Sequence, residues 1–173
     1  GLYLIDQHAA HERVLFDQMM AQYRANMIPS QQLIDSVPVE LSPDKAGILQ
    51  ANLEVMDSLG FVIEPFGPNT FLIRAIPTIV DRGDPKDAIL SVVDAFEEDE
   101  TPLENEAQAL IAARVCKGMA VKGGQNLTEA EQRNLLLNLE ASQSPRTCPH
   151  GRPTMIHLSA NLLERQFGRR GAR

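Results

Sequence analysis

Helix-start signals recur along this chain, and the stretches between them are too short and too regularly alternating to be helices. Ser42-Pro43 and Asp84-Pro85 each place a capping side chain directly before a proline at the first helical position. Thr101-Pro102-Leu103-Glu104 and Thr128-Glu129-Ala130-Glu131 add a glutamate three residues after the capping threonine, the form of a capping box. Gly60 and the Gly123-Gly124 pair close helices. Between these signals lie strand patterns. Leu2–Ile5 reads as a short buried strand, and Val37, Val39 and Leu41 alternate after a proline-flanked loop. Residues 61–64 and 70–76 flank Pro65-Phe66-Gly67-Pro68-Asn69 as a strand–turn–strand unit, and Thr154–Leu158 reads as a last strand before a helix capped by Ser159. No regular strand–helix–strand repeat emerges, so the expected class is α+β.

Composition narrows the function. No apolar run approaches the roughly 20 residues of a membrane span. Two cysteines without a secretory leader suit a reducing compartment, and the expected location is the cytoplasm. The opening Gly-Leu-Tyr-Leu-Ile, with no initiator methionine, reads as the interior of a longer chain. A net charge of −7 speaks against a domain that holds DNA unaided, since non-specific DNA binding rests on phosphate neutralisation. Acids crowd residues 81–106, whereas from Arg146 onward Arg152, Arg165, Arg169, Arg170 and Arg173 face Glu164 alone. Solvated faces and a frayed tail account for both runs without further function.

Two compact clusters carry the chemistry. Asp6-Gln7-His8-Ala9-Ala10-His11-Glu12-Arg13 sits where the first strand meets a helix running to Arg24. At 3.6 residues per turn, Glu12 lies about 40° around from His8, one turn along the same face. Asp6 reaches that space from the strand end. An imidazole with two carboxylates suits Zn, Mn or Fe. His11 points elsewhere, and Asp17, about 140° from Glu12, is expected off the metal face. A helical His–Glu pair by itself is also an ordinary surface pair. Zinc-peptidase motifs fail, because Leu15 stands where a second histidine belongs.

The second cluster is Thr147-Cys148-Pro149-His150-Gly151-Arg152-Pro153, which brings a soft thiolate and an imidazole into one tight loop, a donor pair for Zn²⁺. Cys116, alone on a helix, reads first as a small core residue.

The octapeptide closely resembles the Asp-Gln-His-Ala-x-x-Glu signature of nuclease-active MutL mismatch-repair proteins, and Cys148–Pro153 resembles their Cys-Pro-His-Gly-Arg-Pro motif. Val115-Cys116-Lys117 and Phe167-Gly168-Arg169 resemble two further motifs of that family, in the same order. The resemblance implies a homodimer that sits behind a GHKL-type, ATP-binding module and nicks double-stranded DNA with bound metal. It implies a metal site of Asp6, His8, Glu12, Cys116, Cys148 and His150, and a dimerisation subdomain (1–35 and 100–173) interrupted by an external regulatory subdomain (36–99). The family signature carries a second glutamate where this chain has Asp17, a change expected to tune activity rather than abolish it.

The expected reaction is metal-assisted phosphodiester hydrolysis. Asp6, His8 and Glu12 form its catalytic group, with Mn²⁺ or Mg²⁺ on Asp6 and Glu12. Zn²⁺ would sit on Cys148, His150 and Cys116, with Arg152 or Arg169 contacting phosphate. The rival reading is a non-catalytic dimerisation and docking module with a structural zinc. Gln31-Gln32-Leu33-Ile34 resembles peptides that dock on the replicative sliding clamp, with Gln31 at a pocket rim and Leu33 and Ile34 inside it. The plain alternative makes Leu33 and Ile34 core residues of a strand. A mismatch-recognition protein would be met through the full-length protein.

Overall fold

The computed structural model describes residues 1–25, 27–80, 84–97, 107–122 and 124–169. In chain order the elements are β1 (Leu2–Ile5), α1 (Gln7–Arg24), β2 (Ser30–Glu40), α2 (Pro43–Ala51), α3 (Leu53–Ser58), β3 (Val62–Pro65), β4 (Thr70–Pro77), α4 (Pro85–Glu97), α5 (Ala107–Met119), α6 (Glu129–Ala141), β5 (Met155–Leu158) and α7 (Ala160–Gln166), with a 3₁₀ turn at Thr78–Val80. Two small antiparallel sheets, β1–β5 and β2–β4–β3, stand among these helices. The fold is α+β.

The capping chemistry sets most helix starts. Thr128 accepts from the Glu131 N–H while the Glu131 carboxylate accepts from the Thr128 N–H, a complete capping box at the head of α6. Asp84 accepts from the Lys86 N–H at the head of α4, and Ser159 from the Leu162 N–H at the head of α7. The box expected at Thr101 and the acidic segment from Glu98 to Glu100 lie outside the described residues. One expected helix is divided in two. At Asn52 the backbone leaves helical geometry (φ −115°, ψ 8°), and its side-chain amide donates to the Ile48 carbonyl at 2.8 Å. Asparagine offers the backbone an alternative partner at that point, and α2 ends there.

Gly60 turns α3 into β3. Its φ of +89° suits glycine, and a Cβ there would lie 2.7 Å from Ile28 Cγ2 and 2.8 Å from Ser30 Oγ. Most of the proline-flanked loop expected ahead of Val37 is already strand. β2 begins at Ser30 and pairs with β4, and the register slips between Gln32 and Val37. A bulge therefore replaces the loop.

The main core runs from Phe16 and Met19 of α1, through Phe61 just before β3 and Val39, Phe71 and Ile73 of the three-stranded sheet, to Ile89, Val92, Ala112 and Cys116 of α4 and α5. Ala10 and Val14 pack separately against Leu139 of α6. Leu2–Ile5, expected to be a buried strand, departs from that expectation. All four side chains are exposed, and among the described strands β1 pairs with β5 alone.

Candidate metal centre

The two-stranded sheet is what joins the two chemical clusters. β1 ends at Ile5, one residue before Asp6, and β5 begins at Met155, just after the Cys148–Pro153 loop. Ile5 pairs with Met155, and the Asp6 N–H donates to the Thr154 carbonyl at 3.0 Å. Distant segments are thus held side by side at the head of α1.

Within the loop, the Cys148 N–H donates to the Arg152 carbonyl at 2.8 Å and the Gly151 N–H to the Cys148 carbonyl at 3.0 Å. Gly151, at φ +87°, supplies the left-handed residue this tight turn requires. Thr147 and Pro153 form an antiparallel bridge across its base. Thr154 is fully buried and its hydroxyl donates to the Pro145 carbonyl.

Glu12, Cys148 and His150 come together here, with a donor atom from each lying within 4.8 Å of the others. Among the described residues this is the one group of three or more such donors. Glu12 is 1% exposed and Cys148 fully buried. A His150 Nδ1–Glu12 Oε1 contact joins the imidazole to the carboxylate. Glu12 Oε1 and both ring nitrogens of His150 are buried yet make no well-formed hydrogen bond. Polar atoms withdrawn from water without such partners are costly, and a cation held between Glu12 Oε1 and one ring nitrogen of His150 satisfies both of those atoms. One carboxylate, one thiol and one imidazole form a zinc-type donor set.

The His150 pKa is raised from 6.5 to about 9. Burial opposes its charged form, but is outweighed by the close approach of the Cys148 and Glu12 side chains to the ring and by the Glu12 charge. Without metal, a proton balances the acidic donors.

The remaining expected ligands stand outside this cluster. Asp6 is exposed and caps α1, its Oδ1 accepting from the N–H groups of His8 at 2.9 Å and Ala9 at 3.1 Å. His8 is half-buried with Nδ1 2.9 Å from the Val121 carbonyl. A carbonyl only accepts, so Nδ1 carries the proton and Nε2 keeps the lone pair, the tautomer of a metal-binding histidine oriented by its backbone. His11 is the reverse, its Nδ1 accepting from the Val121 N–H at 2.9 Å. Gln7 donates to the Gln125 carbonyl at 2.8 Å and the Lys122 carbonyl at 3.3 Å. The head of α1 therefore grips the segment that follows α5.

Cys116 is fully buried, 4.0 Å from the Met19 sulfur. Burial, then the charges of Glu12 and Asp17, push its thiol well above the ordinary range against the pull of Arg13. It belongs to the main core. Arg152 and Arg169 are both exposed.

Gln7 and Arg13 were given no role in the sequence reading, and Asp17 was placed off the metal face without its partners. Arg13 Nε donates to the Thr147 carbonyl at 2.7 Å, and Arg13 pairs with Asp17 at 3.0 Å. Asp17 in turn accepts from the Gln143 N–H at 2.9 Å. The i, i+4 spacing of Arg13 and Asp17 was visible, but their partners on a distant segment were not.

The fold and centre define a class: an α+β domain with a partly exposed two-stranded sheet and a buried mixed N/O/S donor site. The pattern of the family described as the MutL C terminal dimerisation domain matches residues 1–127, and the chain belongs to that family. The DNA mismatch repair protein MutL of Pelotomaculum thermopropionicum is 39% identical over 170 residues, covering 98% of this chain and 28% of the relative. That of Koribacter versatilis is 36% identical over 170 residues, covering 98% and 26%. That of Methanoculleus marisnigri is 39% identical over 172 residues, covering 97% and 28%. The chain thus spans between 26% and 28% of the length of these relatives. No described helix is long and apolar enough to cross a membrane.

Proposed function

We propose that this chain is the metal-dependent DNA-nicking and homodimerising part of a MutL-type mismatch-repair protein. The observation that carries the metal assignment is the Glu12–Cys148–His150 cluster with its unsatisfied buried donors. Bound there, Zn²⁺ would draw on Cys148, His150 and Glu12. A harder cation, Mn²⁺ or Mg²⁺, would draw on Asp6, His8 and the shared Glu12, polarising phosphate and lowering the pKa of a water. Asp6 keeps its second carboxylate oxygen outside the helix cap, and His8 keeps the Nε2 lone pair, so both are suited to that role. Cys116 lies near enough for the charge of Glu12 to act on its thiol, which supports a place in the outer part of the same site. Arg152 and Arg169 are assigned to phosphate.

The exposed apolar strip of Leu2, Tyr3, Leu4, Ile5 and Ile156 on the β1–β5 sheet is assigned to self-association. Residues 36–99 are assigned to an external regulatory subdomain, 1–35 and 100–173 to the dimerising one. Gln31, Leu33 and Ile34 are assigned to a sliding-clamp contact. Ile34 is fully exposed on the β2 bulge, which favours docking, whereas Leu33 packs partly against the core. Double-stranded DNA, the clamp and a mismatch-recognition protein would be engaged by the longer protein, whose separate module binds ATP.

A structural-zinc reading has one observation in its favour: Glu12 and Cys148 are closed off from solvent. Plasmid nicking separates the two. With the domain joined to its ATPase module, Mn²⁺ should convert supercoiled plasmid to nicked circles, and Asp6→Asn or Glu12→Lys should abolish this while the dimer persists. Wild-type nicking by Glu12→Lys would leave only the structural role.

A further inference from the structure

Arg13 is the residue directly after Glu12, and it is 7% exposed. Burying a guanidinium is costly unless its donors are matched. Here they are matched in a particular way. Nε donates to the carbonyl of Thr147, the residue before Cys148, at 2.7 Å, while Nη1 pairs with Asp17 at 3.0 Å. Its charge also lies 5.4 Å from the centre of the Phe16 ring. Asp17 uses its other oxygen to accept from the Gln143 N–H at 2.9 Å. One turn of α1 therefore makes two ties to the segment that delivers Cys148, one at Gln143 and one at Thr147. Thr147 bridges to Pro153 and Cys148 bonds to Arg152, so the tie at Thr147 is joined to the body of the loop.

We propose that Arg13 and Asp17 are positioning residues that hold the Cys148–His150 loop at the right distance from Glu12, so that metal affinity and coordination geometry depend on a pair that touches no metal. An exposed i, i+4 pair would merely stabilise its own helix. This pair is largely buried, with side chains 8% and 17% exposed, and each partner spends a hydrogen bond on another segment. The helix that supplies one donor thereby carries the brace for the other two. The proposal rests on the metal-binding reading above.

The test is Co²⁺ titration of the 173-residue chain, reading the thiolate charge-transfer and ligand-field bands, with Zn²⁺ competition for affinity. Asp17→Ala should weaken Zn²⁺ binding by roughly 10–100-fold, the usual effect of losing an outer partner, and shift the ligand-field bands. Asp17→Glu, which keeps a carboxylate, should recover most of the affinity. Arg13→Lys keeps the charge but loses the fork that reaches Thr147 and Asp17 together, and should resemble Asp17→Ala. It also serves as the deciding variant if Asp17→Ala fails to fold. A lowered melting temperature with wild-type cobalt bands and zinc affinity in the folded variants would overturn the brace while leaving the metal site standing. A wild-type chain that takes up neither metal would overturn both.

Discussion

The metal centre and the β2 bulge depart from ordinary packing in opposite directions. At the centre, a carboxylate, a thiol and an imidazole are taken out of water, and three of their polar atoms lack hydrogen bonds. At the bulge, Ile34 is put fully into water. Both sites are braced by arginine. Arg13 ties α1 to Thr147 and Asp17, while Arg74 of β4 donates to Ser36 Oγ at 2.6 Å and to Glu64 at 2.8 and 3.0 Å. The Arg74 contacts are exposed and worth little alone, but they meet the bulge at the residue two beyond Ile34. The comparison teaches how to read each misfit. Buried polar atoms without partners call for a small charged ligand, whereas one exposed aliphatic is ordinary in itself and gains a role only if the proposed clamp contact is made there.

The most decisive break in this contrast is at the centre. Cys148→Ala or His150→Ala should each remove bound zinc, by native mass spectrometry, without dissociating the dimer. Unchanged stoichiometry in both would mean that the buried donors serve something else. A sizeable effect of pH follows from His150. A pKa raised from 6.5 to about 9 on folding stabilises the metal-free protein fully below the ordinary value, and that contribution is lost as pH rises through about 9. Chelated protein should therefore lose melting temperature between pH 6.5 and 9. Zinc-loaded protein, in which the metal takes the place of the proton, should lose less. Parallel curves for the two forms would remove His150 from the site.

At the bulge the expected effects are selective. Gln31→Ala with Leu33→Ala should weaken clamp binding and clamp-stimulated nicking, with zinc content unchanged. Ile34→Ser sharpens this test, because Leu33 touches the core and Ile34 does not pack there. It should lower clamp affinity at wild-type melting temperature. Normal clamp response in both variants would make the bulge structural. Smallest of all, Thr128→Ala should cost about 1 kcal/mol in chemical denaturation by removing the capping box at a helix start that supplies no donor to the cluster. A loss of metal from that variant would show that the centre depends on the start of α6 as well as on its own donors.

Much of this protein is written locally. Asp84-Pro85 and Thr128–Glu131 mark helix starts because capping satisfies backbone groups within a few residues, and Ser42-Pro43 because proline suits the first helical position, its serine making no cap hydrogen bond. Gly60 and Gly151 mark turns for an equally local steric reason. The metal-binding residue types were legible for the same cause, since the donors of each cluster sit close together in the chain. Tertiary structure decided the rest. Only the pairing of β1 with β5 selects Glu12 as the residue that meets Cys148 and His150, while Asp6 and His8 cap the helix and grip Val121. That selection depends on strand register, and register is set by partners far away in the chain. The tie from Arg13 to Thr147 is of the same kind, as is the exposure of Leu2–Ile5. A side chain's periodicity states which way it points from its own element. Whether anything stands there to receive it is a property of the assembled chain.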